Sequence, residues 1–241
     1  MVSTRLRIDE ASAFVLHTYP WRETSLIVET FARDHGRLPL VAKGARRPAS
    51  QLRGVLMAFQ PLAVSWTGKA DLKTLTAASW LGGQALLAGR ELLCGYYLNE
   101  LLIRLLPRED AHPVLFDHYA QTIAALAANA PTEPLLRSFE LALLRELGYG
   151  LTLDAEADTG EVVRPERRYV FIHERGVVEA DRDMGDIPVL DGHVLLAMAR
   201  DDFSAPATLS QARSLMRRLM HHHLGGQALE SRRILMELQE L

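Results

Sequence analysis

The sequence predicts an α+β chain in two parts. A small amino-terminal β-barrel takes residues 1–80, and an α-helical bundle with a small hairpin insertion at about 151–190 takes residues 81–241. Three observations predict it. Up to Trp80, apolar and β-branched residues come in short runs divided by turn-forming residues. From Gly82 onward, apolar residues recur at i, i+3 and i+4. The charge also changes sign: residues 1–80 hold eleven basic and six acidic side chains, net +5, and the other 161 hold sixteen and twenty-four, net −8, in a chain of net −3.

Residues 12–20 and 24–33 read as strands, with a turn signal at Asp34, His35 and Gly36. Residues 37–45 return as the partner strand, and residues 44–50, with Gly44, Pro48 and Ser50, read as a mobile loop. Residues 52–68 read as a further strand in which Pro61 marks an edge or bulge, and residues 69–80 close the series. Five short strands at regular spacing predict a five-stranded barrel. A helix is expected over residues 82–107, ended by Pro107. A second covers 111–130, with Pro113 in its first turn, and a third covers 132–150, with Thr132 as N-cap and Gly148 and Gly150 as its stop. Residues 151–190 are polar and charged; a strand-like run at 168–173 and a turn at Gly176 predict an exposed hairpin between helices. Helical patterning resumes at 191–201 and 209–241.

Composition excludes several classes. Nearly half the residues are apolar, enough for a sizeable core. The single cysteine, Cys94, sits in a helical apolar stripe and is read as core; it allows neither an internal disulfide nor a cysteine-based zinc site. The start lacks a basic head followed by an apolar run, and no apolar run reaches the roughly 18 residues of a membrane span. A cytoplasmic protein without membrane contact is expected. No phosphate-cradling loop, dinucleotide fingerprint, nucleophile elbow or H-E-x-x-H pair is present, so no enzyme, cofactor or metal is expected. His221, His222 and His223 are adjacent, point about 100° apart on a helix, and read as a partly exposed helix end. Trp21, Trp66 and Trp80 read as barrel core, with base stacking as the alternative. Of Tyr96 and Tyr97, one reads as core and the other as lying at an interface.

The strongest signal is basic. The stretch "LPLVAKGARRPASQLRG", residues 38–54, holds Lys43, Arg46, Arg47 and Arg53 and no acid. Arg22, Arg33 and Arg37 precede it, and Lys69 and Lys73 flank the next turn. A small barrel with basic loops and nearby aromatics is the usual physical solution for holding single strands of nucleic acid through their phosphates. The alternative is an adaptor whose basic barrel binds an acidic protein surface.

Five stretches resemble the RecO family of bacterial recombination mediators: residues 14–48 and 52–75, then "YYLNELLIRLLP", "LRSFELALLRELGYG" and "HLGGQALESRRIL". The resemblance implies an amino-terminal OB-fold and a helical domain. It also implies a nucleoid-associated, non-enzymatic role: binding single- and double-stranded DNA, annealing complementary strands and, with RecR and RecF, loading RecA onto DNA coated by single-strand-binding protein. It further implies that the helical domain takes the acidic, apolar-ended C-terminal tail of single-strand-binding protein, with Arg137 at the tail carboxylate and Leu115 and Phe116 as weaker pocket candidates. The alternative for Arg137 is an ion pair with Glu133 or Glu140. Some members carry a four-cysteine zinc module in the insertion. This chain has no cysteine there, so its hairpin is expected to be held by packing alone, with His173 lacking the partners of a zinc ligand.

Overall fold

In a computed structural model that describes residues 7–181 and 187–239, the first compact unit comprises residues 1–130 and 229–241 and the second residues 131–228. Five strands open the first unit: β1 (Arg7–Trp21), β2 (Ser25–Ala32), β3 (Gly36–Ala42), β4 (Leu62–Thr67) and β5 (Lys73–Trp80). They close into a barrel of order β1-β2-β3-β5-β4, antiparallel except between β3 and β5. This is the OB-like topology expected. Val28, Leu38, Leu40, Leu62, Val64 and Trp66 fill its interior. One long strand serves two neighbours because β1 shifts register twice, between Ile8 and Ala11 and between Val15 and His17, which lets it turn the barrel's corner.

The stretch predicted as one strand over 52–68 is different. Leu52, Val55 and Leu56 recur at helical spacing, form the short helix α1 (Leu52–Val55) with its following residue, and pack against the barrel core. The strand begins only after Pro61, which has no N–H for a ladder. The loop at 44–50 is a run of hydrogen-bonded turns: Arg47 N–H donates to Gly44 O (3.0 Å), Ser50 N–H to Arg47 O (3.0 Å), and Ala45 is buried in the barrel core.

Helices α2 (Gly89–Leu105) and α3 (Pro113–Ala127) complete the main body of this unit. The first begins later than its periodicity suggested. Gln84 donates to Phe59 O, and Gln60 donates to Gln84 O (3.4 Å), which ties the approach down in non-helical form. Pro113 sits in the first turn as expected. Phe116 meets Phe14 (centroids 5.5 Å) and Phe31 (5.4 Å), while Tyr119 OH donates to Asn99 Oδ1 (2.6 Å) and Asn99 Nδ2 donates to Leu16 O (2.8 Å). The chain's last described helix, α7 (Glu230–Gln239), returns to α2. Glu100 accepts from the Ser231 hydroxyl (2.6 Å) and from the Glu230 and Ser231 N–H groups (2.9 Å each). Burial alone would raise the Glu100 carboxyl; these bonds at a helix start, with Arg104, hold it below the usual range.

The turn between β2 and β3 admits no side chain at Gly36. Gly36 has φ +68°, and a Cβ there would overlap the Asp110 backbone. Gly36→Ala is expected to lower stability by about 3 kcal/mol or more, through strain plus displacement of the 108–110 segment, read as a fall in denaturation midpoint at unchanged m-value. An unchanged midpoint would show that this backbone approach does not hold the turn.

The second unit contains α4 (Thr132–Glu146), β6 (Arg168–Ile172), β7 (Gly176–Glu179), β8 (Val189–Asp191), α5 (Gly192–Ala199) and α6 (Pro206–His223). Thr132 is the first helical residue rather than the cap; Pro131 holds the cap position and no side chain caps it. Gly148 follows the end of α4 at φ +80°. The predicted hairpin is β6–β7, but a third strand, β8, joins it in the order β7-β6-β8. It is not wholly exposed: Tyr169, Val170 and Val177 are fully buried. The final helical stretch is two helices, α6 and α7, broken around Gly225 and Gly226. His221 and His222 are exposed and His223 half-buried, as the helix-end reading expected. The His222 ring lies 4.0 Å from that of His173.

Candidate nucleic-acid interface

The nine cations singled out in the barrel divide into two groups. Arg33, Arg37 and Lys73 are tied down. Arg33 donates from Nε (2.8 Å) and Nη2 (2.7 Å) to both oxygens of Asp117, which raises the guanidinium pKa further and lowers that of the carboxyl. Arg37 donates to Leu106 O (3.1 and 3.0 Å) and to Glu29 (3.2 Å), whose other oxygen takes Arg108 (2.9 Å). Lys73, with a side chain only 6% exposed, pairs with Glu109. These three fix the 106–117 stretch to the barrel within the first unit. Their charge is compensated within the protein, and the Arg37 and Lys73 side chains are mostly buried while that of Arg33 is partly exposed.

Arg22, Lys43, Arg46, Arg47, Arg53 and Lys69 form the other group. All are exposed, and none forms an ion pair among the described residues. Four of them meet at one end of the barrel. Arg46 N–H donates to Thr24 O (2.9 Å), its guanidinium donates to Glu23 O (3.4 Å), and Gly44 N–H donates to Ser25 Oγ (3.4 Å). The 43–47 turns therefore lie against the β1–β2 hairpin tip, and Lys43, Arg46 and Arg47 stand beside Arg22. Arg53 lies further along the same connection, on α1, where Val55 O accepts from the Trp80 indole (3.0 Å). Lys69 is in the β4–β5 turn; the pairing of Thr67 with Arg7, at the end of β1 away from Trp21, places it toward the opposite end.

The tryptophans also divide. Trp66 is core, but Trp21 and Trp80 are 38% and 50% exposed, contrary to their core reading. The reason for Trp21 is the β1 bulge. Ala13 and Val15 point into the barrel, and the register shift between Val15 and His17 turns His17, Tyr19 and Trp21 to the outside. Tyr19 is not among the residues the sequence reading selects; the alternation His17, Tyr19, Trp21 on one strand is the signal that finds it.

Two family models match the chain: "Recombination protein O N terminal" over residues 7–84 and "Recombination protein O C terminal" over residues 87–233. The chain belongs to the RecO family. Proteins of that family named "DNA repair protein RecO" are similar over 98% or more of its length. They include those of Aromatoleum aromaticum (58% identical, all of both chains), Azoarcus sp. (56%, all of both chains) and Ralstonia nicotianae (54%, 98% of this chain and 86% of the relative). The carboxy-terminal RecO match takes in α2 and α3 of the first compact unit as well as all of the second.

Of the residues singled out for a partner's tail, Leu115 and Phe116 belong to the first unit and Arg137 to the second. Leu115 and Phe116 are buried in the first unit's core, Phe116 between Phe14 and Phe31. Arg137 belongs to the second unit, on α4, and its guanidinium donates to Glu140 Oε1 (2.7 Å); the two side chains are 12% and 1% exposed. Glu133, the other acid weighed as its partner, takes Arg213 instead. Among the described residues no helix is long and apolar enough to cross a membrane.

Proposed function

We propose that this chain is a DNA-repair and recombination mediator that binds single- and double-stranded DNA and anneals complementary strands. With RecR and RecF, it helps load RecA onto DNA coated by single-strand-binding protein. One observation carries the reading: in a chain of net charge −3, exposed cations without carboxylate partners among the described residues gather at one end of a closed OB-like barrel. Phosphates supply the counter-charges that these cations do not find in the protein. The RecO-family relatives, named as DNA repair proteins, support the same reading. Arg137, seated at a mostly buried position beside Glu140, is the residue we assign to the terminal carboxylate of the single-strand-binding protein tail.

The test is binding and annealing across a salt series. A single-stranded oligonucleotide is expected to lose affinity with a log–log slope of about −3, the value for four to five neutralised phosphates. Complementary strands, bare or coated by single-strand-binding protein, are expected to anneal faster in the protein's presence. A slope near zero, or binding to acidic proteins but not to oligonucleotides, would replace this reading with that of a protein adaptor.

A further inference from the structure

The outer face of β1, β2 and β3 carries a stripe whose chemistry is not that of phosphate binding. Side chains directly opposite one another in a sheet share a face. Tyr19 pairs with Ile27, which pairs with Val41; Trp21 pairs with Ser25 at the hairpin tip. Toward one end this outer face is covered, since Phe14 and Phe31 meet Phe116. Toward the other it is open. His17 is exposed, Tyr19 is 43% exposed and Trp21 is 38% exposed. The His17 and Tyr19 rings meet edge to face at 4.5 Å, and the Arg22 guanidinium carbon lies 6.0 Å from the Trp21 ring centroid. Arg22 takes a left-handed φ of 51°, uncommon for a residue with a side chain.

The part of each ring that stays in water adds nothing to the barrel's stability, because that apolar area remains hydrated. Such rings beside unpaired cations fit a polyanion that also carries flat apolar faces. Successive outward residues of a strand stand roughly 6.7 Å apart, about twice the 3.4 Å rise of stacked nucleotides. Tyr19 and Trp21 can therefore each take one base of an extended strand, while Lys43, Arg46, Arg47 and Arg22 border the same end of the face. A duplex keeps its base faces stacked on each other and cannot use the stripe.

We propose that Tyr19 and Trp21 form a base-stacking platform on the outer face of the barrel, specific for single-stranded nucleic acid. The proposal rests on the nucleic-acid reading above and deepens it, because it separates the groups that hold bases from those that hold phosphates.

The test compares an oligothymidylate, an abasic strand of equal length and a duplex. Each is titrated against the wild type, Tyr19→Ala/Trp21→Ala and Tyr19→Phe/Trp21→Phe, with thermal melts to confirm folding. The alanine variant is expected to lose about thirtyfold or more in oligothymidylate affinity, at an unchanged salt slope, and to bind the abasic strand and the duplex as the wild type does. The phenylalanine variant is expected to keep most of the wild-type affinity. Equal loss on the thymidine and abasic strands, or no loss on either, would overturn the platform while leaving the phosphate reading intact. Equal loss in both variants would likewise overturn it, since polar tips rather than ring faces would then carry the contact. Absence of binding by the wild type to any of the three at low salt would overturn both readings.

Discussion

Replacement of Lys43, Arg46 and Arg47 together by glutamate is expected to lower single-strand affinity about a hundredfold at about 0.1 M monovalent salt. The magnitude follows from counterion release. Each phosphate contact on a single strand contributes about 0.7 to the log–log salt slope, so losing three flattens it by about 2 and, referred to about 1 M salt, removes about two decades at about 0.1 M. The reversed charges add repulsion, so the figure is a floor. The fold is expected to survive. None of the three side chains pairs with a carboxylate among the described residues, and the turns they ride on are held by backbone bonds and by buried Ala45. Duplex affinity is expected to fall in parallel, because phosphates are common to both. The measurement is a fluorescence-anisotropy titration at four or five salt concentrations. Wild-type affinity and slope would remove these residues from the interface. A control sharpens the result: Lys69→Glu, toward the other end of the barrel by register, is expected to change affinity and slope far less.

The contrast between those three residues and Arg37 or Lys73 shows where sequence reading stopped. All are cations within a net-positive barrel, and along the chain they look alike. What separates them is a carboxylate or carbonyl far away: Arg37 finds Leu106, 69 residues on, Lys73 finds Glu109, 36 residues on, and Arg33 finds Asp117, 84 residues on. No local pattern reports such pairs. The same limit explains Trp21. Strand parity counted from Ala13 and Val15 puts it inside, and a one-residue register shift puts it outside. By contrast, alternation within β2 and β3, the apolar spacing of α3 and the glycine after α4 are local, and they placed the barrel and those two helices correctly. Leu52, Val55 and Leu56 were misread for a related reason. A short apolar run supports helix or strand equally until the ladder it would join is known.

For the second unit, Arg137→Ala is expected to weaken binding of an acidic, apolar-ended tail peptide by more than tenfold, but that result alone does not separate recognition from folding. Arg137 and Glu140 form a pair that is almost wholly buried, and removing one member of such a pair costs about 3–5 kcal/mol. A weakened unit would bind a tail poorly whatever the direct role of the guanidinium. The variant that decides is Arg137→Met/Glu140→Met. Replacing both members of a buried pair by apolar groups of similar volume is often neutral or stabilising, so its denaturation midpoint is expected to lie near or above that of the wild type. Its tail affinity is nevertheless expected to stay at the level of Arg137→Ala, because a thioether cannot pair with a carboxylate. Arg137→Lys is expected to fall between, keeping a charge but losing the two-pronged geometry. Recovery of full tail affinity in the double methionine variant would show that Arg137 serves only to satisfy Glu140, and the tail's carboxylate would then have to be sought elsewhere.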